Sequence, residues 1–445
     1  MKLFLLYLML IFLNNCSFDD KSGIWENDSN IYKNKKDSFS QFKSVSSSID
    51  PFNEIIQIKK DYKFKLSKKI NPTSWKQIHF NQNKNINNFE YKNLNELFFK
   101  GKKISKYKVS EYIFYENGNI INSDMKGNIN VFSVADNKPL IKFNFYKKKY
   151  KNFKLKTFVA LSDSSIYVAD NMGYAYCLEL ESASLKWAKF YEIPFMSNIK
   201  IDDKKIFLTN ENNDIFVLNK FNGEKQWNFT TDNSIFKSDY LNNLSIFGTN
   251  LLLLNTNGSA YSINYSNRQL NWILNFKDFL STKTSNIFKG KHLIIQKNNV
   301  LISSERFVSL HNINSGVKYW ELKIDNYLNP IFSQDLIFLV DKKYNLISID
   351  KSSGHLVWKM NFSQIIGDQA LSEIKKKRIG KINDLKLIND KLFLLTSKAK
   401  LIKIDPISGK ILSYVNLPSD INSDVIFVEG KMIYIDKKNR LYSVG

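Results

Sequence analysis

Asn219-Lys-Phe-Asn-Gly223-Glu-Lys-Gln-Trp227 decides the fold, because the same frame returns along the chain. Asn312 to Gly316 to Trp320 and Asp350 to Gly354 to Trp358 keep both the glycine and the tryptophan at the same spacing. Copies ending at Trp187 and Trp272 carry Ala183 and Arg268 at the glycine position. Asp405 to Gly409 to Ser413 and Ser133 to Asn137 to Ile141 keep the frame and lose the tryptophan. A motif returning about every 40 to 55 residues marks a repeat architecture.

Each repeat reads as a small antiparallel sheet. Ile206-Phe-Leu-Thr, a polar tip from Asn210 to Asp214, and Ile215-Phe-Val-Leu form one hairpin. Ile166-Tyr-Val-Ala with Asn171-Met-Gly173, and Leu336-Ile-Phe-Leu-Val with Asp341 to Asn345, repeat that grammar. Short apolar runs bounded by Asn, Asp and Gly are hairpin signals. The Asn/Asp-to-Gly stretch then turns the chain into the strand that carries the tryptophan. Glycine suits such a turn because positive φ costs it little. A tryptophan held at that point can pack between neighbouring sheets as a large apolar anchor.

Seven such frames run from Ile141 to Ser413. The eighth sheet is expected from the two ends of the chain. Pro72-Thr-Ser-Trp75-Lys-Gln-Ile-His-Phe80 reads as a strand with its own tryptophan. Val425-Ile-Phe-Val, Lys431-Met-Ile-Tyr-Ile and Arg440-Leu-Tyr-Ser-Val supply the strands it completes. The fold class is therefore all-β: an eight-bladed β-propeller of four-stranded antiparallel blades, over residues 72–445, closed by N- and C-terminal strands. Closing a ring in this way protects sheet edges.

The chain has 445 residues, 43% hydrophobic and 14% aromatic, and a formal net charge of +23. Lysines are spread over nearly every turn among asparagines, and no nucleic-acid-binding motif accompanies them. Two runs are concentrated, Lys147 to Lys156 and Lys375-Lys-Lys-Arg378. They read as solvated loops, with an anionic partner or lipid surface as the alternative.

Met1-Lys2 precedes an apolar run from Leu3 to Leu13 and then Asn14-Asn15-Cys16. That run is too short to span a bilayer and has the charged-then-apolar plan of a secretory signal. A cysteine directly after it resembles a bacterial lipoprotein signal over residues 1–15. Such a signal implies lipidation of Cys16 and a polar tether over residues 16–71. Asn15 departs from the small residue usual before such a cysteine. Ser17 stands where an inner-membrane retention signal would carry Asp, so the outer membrane, on its periplasmic face, is the expected address. Cys177 then has no partner in the chain, and its place on a β-rich run makes it a small buried hydrophobe.

Lipoprotein signal, tether and eight closed blades together resemble the BamB family of outer-membrane protein assembly lipoproteins, across essentially the whole mature chain. The resemblance implies a non-enzymatic scaffold that binds the periplasmic domains of a BamA-type barrel subunit and assists insertion of outer-membrane β-barrels. It further implies contact loops after the third and fourth tryptophan strands. In the first, Ser234-Ile235-Phe236-Lys237 has the family's apolar-plus-basic character, with Ile235, Phe236 and Lys237 as partner-binding residues. In the second, Leu280 to Thr284 aligns where the family carries acids, and Thr282 and Thr284 bear no charge.

The same blades build quinone-dependent dehydrogenases, whose typical pattern includes adjacent cysteines, a catalytic Asp and calcium ligands; this sequence has no pair of adjacent cysteines. Its four histidines, His79, His292, His311 and His355, have no metal-ligand spacing. No catalytic residue, metal or cofactor is assigned. A lipid-anchored periplasmic propeller that binds another protein or a polysaccharide remains the alternative, since a fold alone does not fix a function. Between Trp358 and Ser413 the spacing lengthens, and Ile365 to Ile374 reads as a loop or short helix in an insertion spanning 363–386.

Overall fold

The computed structural model describes residues 16–18, 25–27, 63–82, 88–92, 96–146, 150, 153–232, 239–276, 288–362 and 380–445. The chain divides into two compact units, residues 1–53 and 54–445. In the first, Cys16–Phe18 pairs antiparallel with Trp25–Asn27, Cys16 opposite Asn27.

The second unit is a ring of eight β-meander blades. Seven are continuous in sequence, at 114–144, 157–190, 200–229, 243–275, 290–322, 331–361 and 382–416. The eighth joins Ile426–Val428, Lys431–Ile435 and Arg440–Val444 to Leu97–Lys103 from the other end of the chain. The first strands of successive blades lie against one another and form the hub. They are cross-tied by hydrogen bonds such as Ser245 Oγ to the Leu293 carbonyl at 2.8 Å.

Burial explains the sequence pattern. Second and third strands are buried on both faces between neighbouring blades, so they read as unbroken apolar runs such as Leu336-Ile-Phe-Leu-Val. Fourth strands face solvent and alternate, as in Gln269–Asn275. The core is divided among the blade interfaces. Val159, Val168 and Tyr176 of the second blade pack with Ile121 and Val131 of the first, and Leu244 and Leu253 of the fourth pack with Phe207 and Val217 of the third.

Two turn chemistries repeat. Between second and third strands an Asx side chain folds the tip. Asp124, Asp170, Asn210, Asn255, Asp341 and Asp436 each accept backbone N–H groups two and four residues ahead. Between third and fourth strands lies the tryptophan frame. There Gly223, Gly316, Gly354 and Gly409 have φ between 71° and 74°. The replacements Asn137, Ala183 and Arg268 also take positive φ, at 51°, 53° and 63°.

Each tryptophan docks on the corresponding turn of the next blade. Nε1 of Trp272, Trp320 and Trp358 donates to the carbonyls of Ile313, Lys351 and Pro406 at 2.7, 2.8 and 2.9 Å. Nε1 of Trp187 does the same to Lys220 at 3.1 Å. The indole then covers the glycine. A Cβ at Gly316, Gly354 or Gly409 would stand 2.9 Å from Trp272, Trp320 or Trp358.

The closing strand differs from the sequence expectation. Leu97–Lys103, not Pro72–Phe80, pairs with Arg440–Val444. Phe99 opposes Ser443 just before a register shift, the position at which the tryptophans oppose Cys177, Val217, Ser262, Leu310 and Ser348. It packs with Val134 against the core at the turn of the first blade. Phe99 is therefore the eighth member of the tryptophan set, and Trp75 belongs to a different device.

That device is the segment 63–92, described at 63–82 and 88–92, whose described residues lie along one end of the hub. Its backbone and side chains bond to the inner strands, or the turns that follow them, on seven blades. Lys65 N–H meets Asp335, and Ser67 N–H meets Ser333 Oγ. Asn88 and Phe89 pair in parallel with Leu387 and Ile388, so the seventh sheet has six strands. Gly430 N–H reaches Asn71 Oδ1, and Trp75 exchanges backbone hydrogen bonds with Tyr115. Leu161 N–H reaches the Lys76 carbonyl, Gln82 Nε2 donates to the Ile201 carbonyl, and Ile246 N–H reaches the Gln82 carbonyl. On the remaining blade, the fifth, the His292 ring stands edge-on to His79 at 5.5 Å. Trp75, 1% exposed, packs on Phe80 and Phe89 and seals this end.

Candidate partner-binding face

In a meander the connections between blades share one rim with the turns joining second and third strands. The turns bonded by segment 63–92 lie at the other rim. Among the described residues, segment 63–92 does not cover the connection rim, and the stems of the loops singled out in the sequence leave from that rim.

The first loop is rooted by Asp232. Its carboxylate accepts hydrogen bonds from Tyr261 Oη at 2.6 Å, Asn255 Nδ2 at 2.5 Å, Asn257 Nδ2 at 3.0 Å and Ser259 Oγ at 3.1 Å. Burial, then this bond to Asp232, raises the Tyr261 phenol above its ordinary range. Thr231 Oγ1 adds a bond to the Asn213 carbonyl at 2.9 Å. The stem leaving the third blade is thus pinned to a turn of the fourth. Residues 233–238, with Ile235, Phe236 and Lys237, lie outside the described residues. So do 277–287, with Thr282 and Thr284, whose stems Phe276 and Phe288 both pack on Phe307. The insertion lies outside from 363 to 379, including Ile365 to Ile374 and Lys375 to Arg378. Cys16 is described only in its backbone pairing.

Asp232 was not singled out from the sequence, because its partners lie more than 20 residues ahead in another blade. On the same rim a cavity of about 560 Å³ is lined by Lys108, Asp124, Lys154, Lys156, Met196 and Asp239, among others. Two lysines of the basic run Lys147 to Lys156 therefore line the connection face. Desolvation lowers the Lys156 ammonium pKa, with Asp239 acting against the shift.

The hub also holds a buried charge cluster. Lys386 Nζ, its side chain 1% exposed, lies 2.9 Å from Asp384 Oδ2 and 3.1 Å from Asp424 Oδ1, bridging the seventh and eighth blades. Burial pushes the Asp384 carboxyl up to about 7, with Asp424 adding to the rise and Lys386 opposing it.

The remaining titratable candidates have structural places. His311 bonds the Gly316 carbonyl and Ser309 Oγ within the fifth blade, and burial lowers its pKa. His355 is exposed in its turn. Cys177 is 1% exposed in the core, and burial raises its thiol to about 11. Among the described residues no three His, Cys, Asp or Glu side chains converge as a metal site would need.

Eight meander blades joined by docked tryptophans define the protein as a β-propeller of the PQQ-like repeat class. Among solved structures it is similar to BamB from Moraxella catarrhalis, at 9% identity and a TM-score of 0.59 over 77% of this chain and 99% of that one. A quinohaemoprotein alcohol dehydrogenase from Comamonas testosteroni is similar at 9% identity and a TM-score of 0.58, over 83% and 80%. The computationally designed Ika8 protein is similar at 10% identity and 0.55, over 77% and 99%. These likenesses are of fold alone. No curated protein matches the chain by sequence. The family model described as outer membrane protein assembly factor BamB matches residues 126–360, and the chain belongs to that family.

Proposed function

We propose that the protein is a non-enzymatic scaffold subunit of an outer-membrane β-barrel assembly machine. Its connection face binds the periplasmic domains of a BamA-type subunit, and an acylated Cys16 holds it at the periplasmic face of the outer membrane. The observation that carries this reading is family membership joined to a pinned loop stem. Asp232 fixes the root of the loop bearing Ile235, Phe236 and Lys237 on the rim that segment 63–92 leaves free. An apolar side chain on a rigidly rooted loop can fill a partner's pocket, and a flanking cation can orient it.

The fold of the quinohaemoprotein dehydrogenases supplies a second reading, cofactor-dependent oxidation. One feature favours the scaffold: the described part of segment 63–92 lies across one end of the hub. The discriminating experiment measures affinity for the isolated periplasmic domains of the barrel subunit. Phe236→Asp weakens binding by about thirtyfold, the scale of one lost apolar anchor, and leaves the circular-dichroism spectrum unchanged. Unaltered affinity removes this loop from the interface.

A further inference from the structure

The seam that closes the ring carries concentrated positive charge with no ion-paired acid among the described residues. Lys103 and Arg440 stand directly opposite each other across the pair of strands joining the chain's two ends. Like charges in that relation destabilise a strand pair. Lys100, Lys102 and Lys438 join them around a surface cavity of about 600 Å³, whose lining is completed by Gly101 and holds no carboxylate. Among the described residues none of these five cations forms an ion pair. Of the nearby acids, Asp436 binds the backbone N–H groups of Lys438 and Arg440 rather than their side chains, and Asp420 pairs with Lys437. Elsewhere on the ring, Lys289, Lys291 and Lys342 converge on a counter-charge, Glu305. The seam differs from that cluster in having no ion-paired acid among the described residues.

We infer that this cavity is a binding site for a phosphate-bearing anion, either free or presented by a lipid headgroup. Ammonium groups suit phosphate as point charges, and a guanidinium can grip it through two parallel hydrogen bonds. The volume falls in the range of small-molecule sites. The bound anion sits over Lys103 and Arg440 and cancels their repulsion, so binding stabilises the ring at its one non-covalent closure.

The test uses the full chain, a Lys103→Gln/Arg440→Gln variant, and a control that loses two exposed lysines elsewhere, Lys343→Gln/Lys398→Gln. Without ligand the seam variant melts at or above the wild-type temperature, because the opposed charges are gone. Pyrophosphate raises the wild-type and control Tm by about 2 °C or more beyond sodium chloride of equal ionic strength. In the seam variant the rise is lost. Flotation with vesicles of phosphatidylcholine, alone or mixed with phosphatidylglycerol, identifies the source. A loss of about fivefold in binding to the mixed vesicles, confined to the seam variant, assigns a lipid headgroup. Equal vesicle binding by seam variant and control, with the pyrophosphate effect intact, assigns a free phosphate. Equal pyrophosphate shifts and equal vesicle binding in the two variants overturn the site.

Discussion

At the scale of single residues, the turn glycines and the tryptophans form one device split between blades. A glycine occurs where the preceding blade presents a tryptophan: Gly223 beneath Trp187, Gly316 beneath Trp272, Gly354 beneath Trp320 and Gly409 beneath Trp358. Asn137 and Ala183 stand in the turns of the blades that follow Phe99 and Ile141, whose side chains are smaller than a tryptophan's, and keep positive φ with a Cβ. Arg268 is the exception. It lies beneath Trp227 and sets its guanidinium 6.0 Å from the indole centroid, replacing close packing with a cation–π contact. Gly354→Ala combines φ of +74° with a Cβ driven into Trp320, and should cost roughly 1–3 kcal/mol, read as a lower urea midpoint. Arg268→Gly relieves the backbone while losing the cation, so its change should stay within about 1 kcal/mol. The tryptophan frame was legible because turn and anchor are local in sequence. The coupling between them was not, because it joins residues about 30 to 50 positions apart.

At the scale of elements, strand pattern and turn chemistry carry seven blades, and the eighth shows where that reading stops. Leu97-Phe-Phe-Lys-Gly-Lys-Lys103 has no tryptophan and no preceding Asx-to-Gly turn, because its third strand comes from the other end of the chain. Pro72–Phe80 offered a tryptophan and took its place in the sequence reading. Only the register, with Phe99 opposite Ser443, separates the two. Phe99→Asp should therefore lower the melting temperature of the whole ring, since it puts a charge in place of a half-buried aromatic where the blades close. A melting curve matching wild type would contradict that assignment. The buried cluster between the seventh and eighth blades adds a pH dependence. Asp384 has its folded pKa raised from the ordinary 3.8 to about 7, so the native state holds this proton more tightly than the unfolded chain. Stability from this group is present below the unfolded value and is lost as pH rises from about 4 through 7. Asp384→Asn should flatten the fall in urea midpoint between pH 5 and pH 8. An unchanged slope would assign the pH dependence to other groups.

At the scale of the whole molecule, segment 63–92 gives the ring two unlike ends. One end is sealed by Trp75, Phe80 and Phe89, and the other presents the blade connections. The expectation of a ring closed from both termini holds in topology, while the N-terminal contribution is divided between the seal and Leu97–Lys103. The described stems of the loops proposed to meet the partner leave from the second end. The lipid anchor belongs to this scale too: Cys16→Ala should move the protein from the membrane pellet to the soluble fraction without changing its fold, and persistent pelleting would remove Cys16 as the anchor. The central claim is the scaffold role. It is tested most directly by tagging the protein in its native host, solubilising membranes in mild detergent and identifying what co-purifies. The account predicts recovery of a β-barrel assembly protein with periplasmic repeats, reduced when Phe236→Asp is introduced. A preparation free of that protein, under conditions that keep the rest of its assembly machine together, would contradict it.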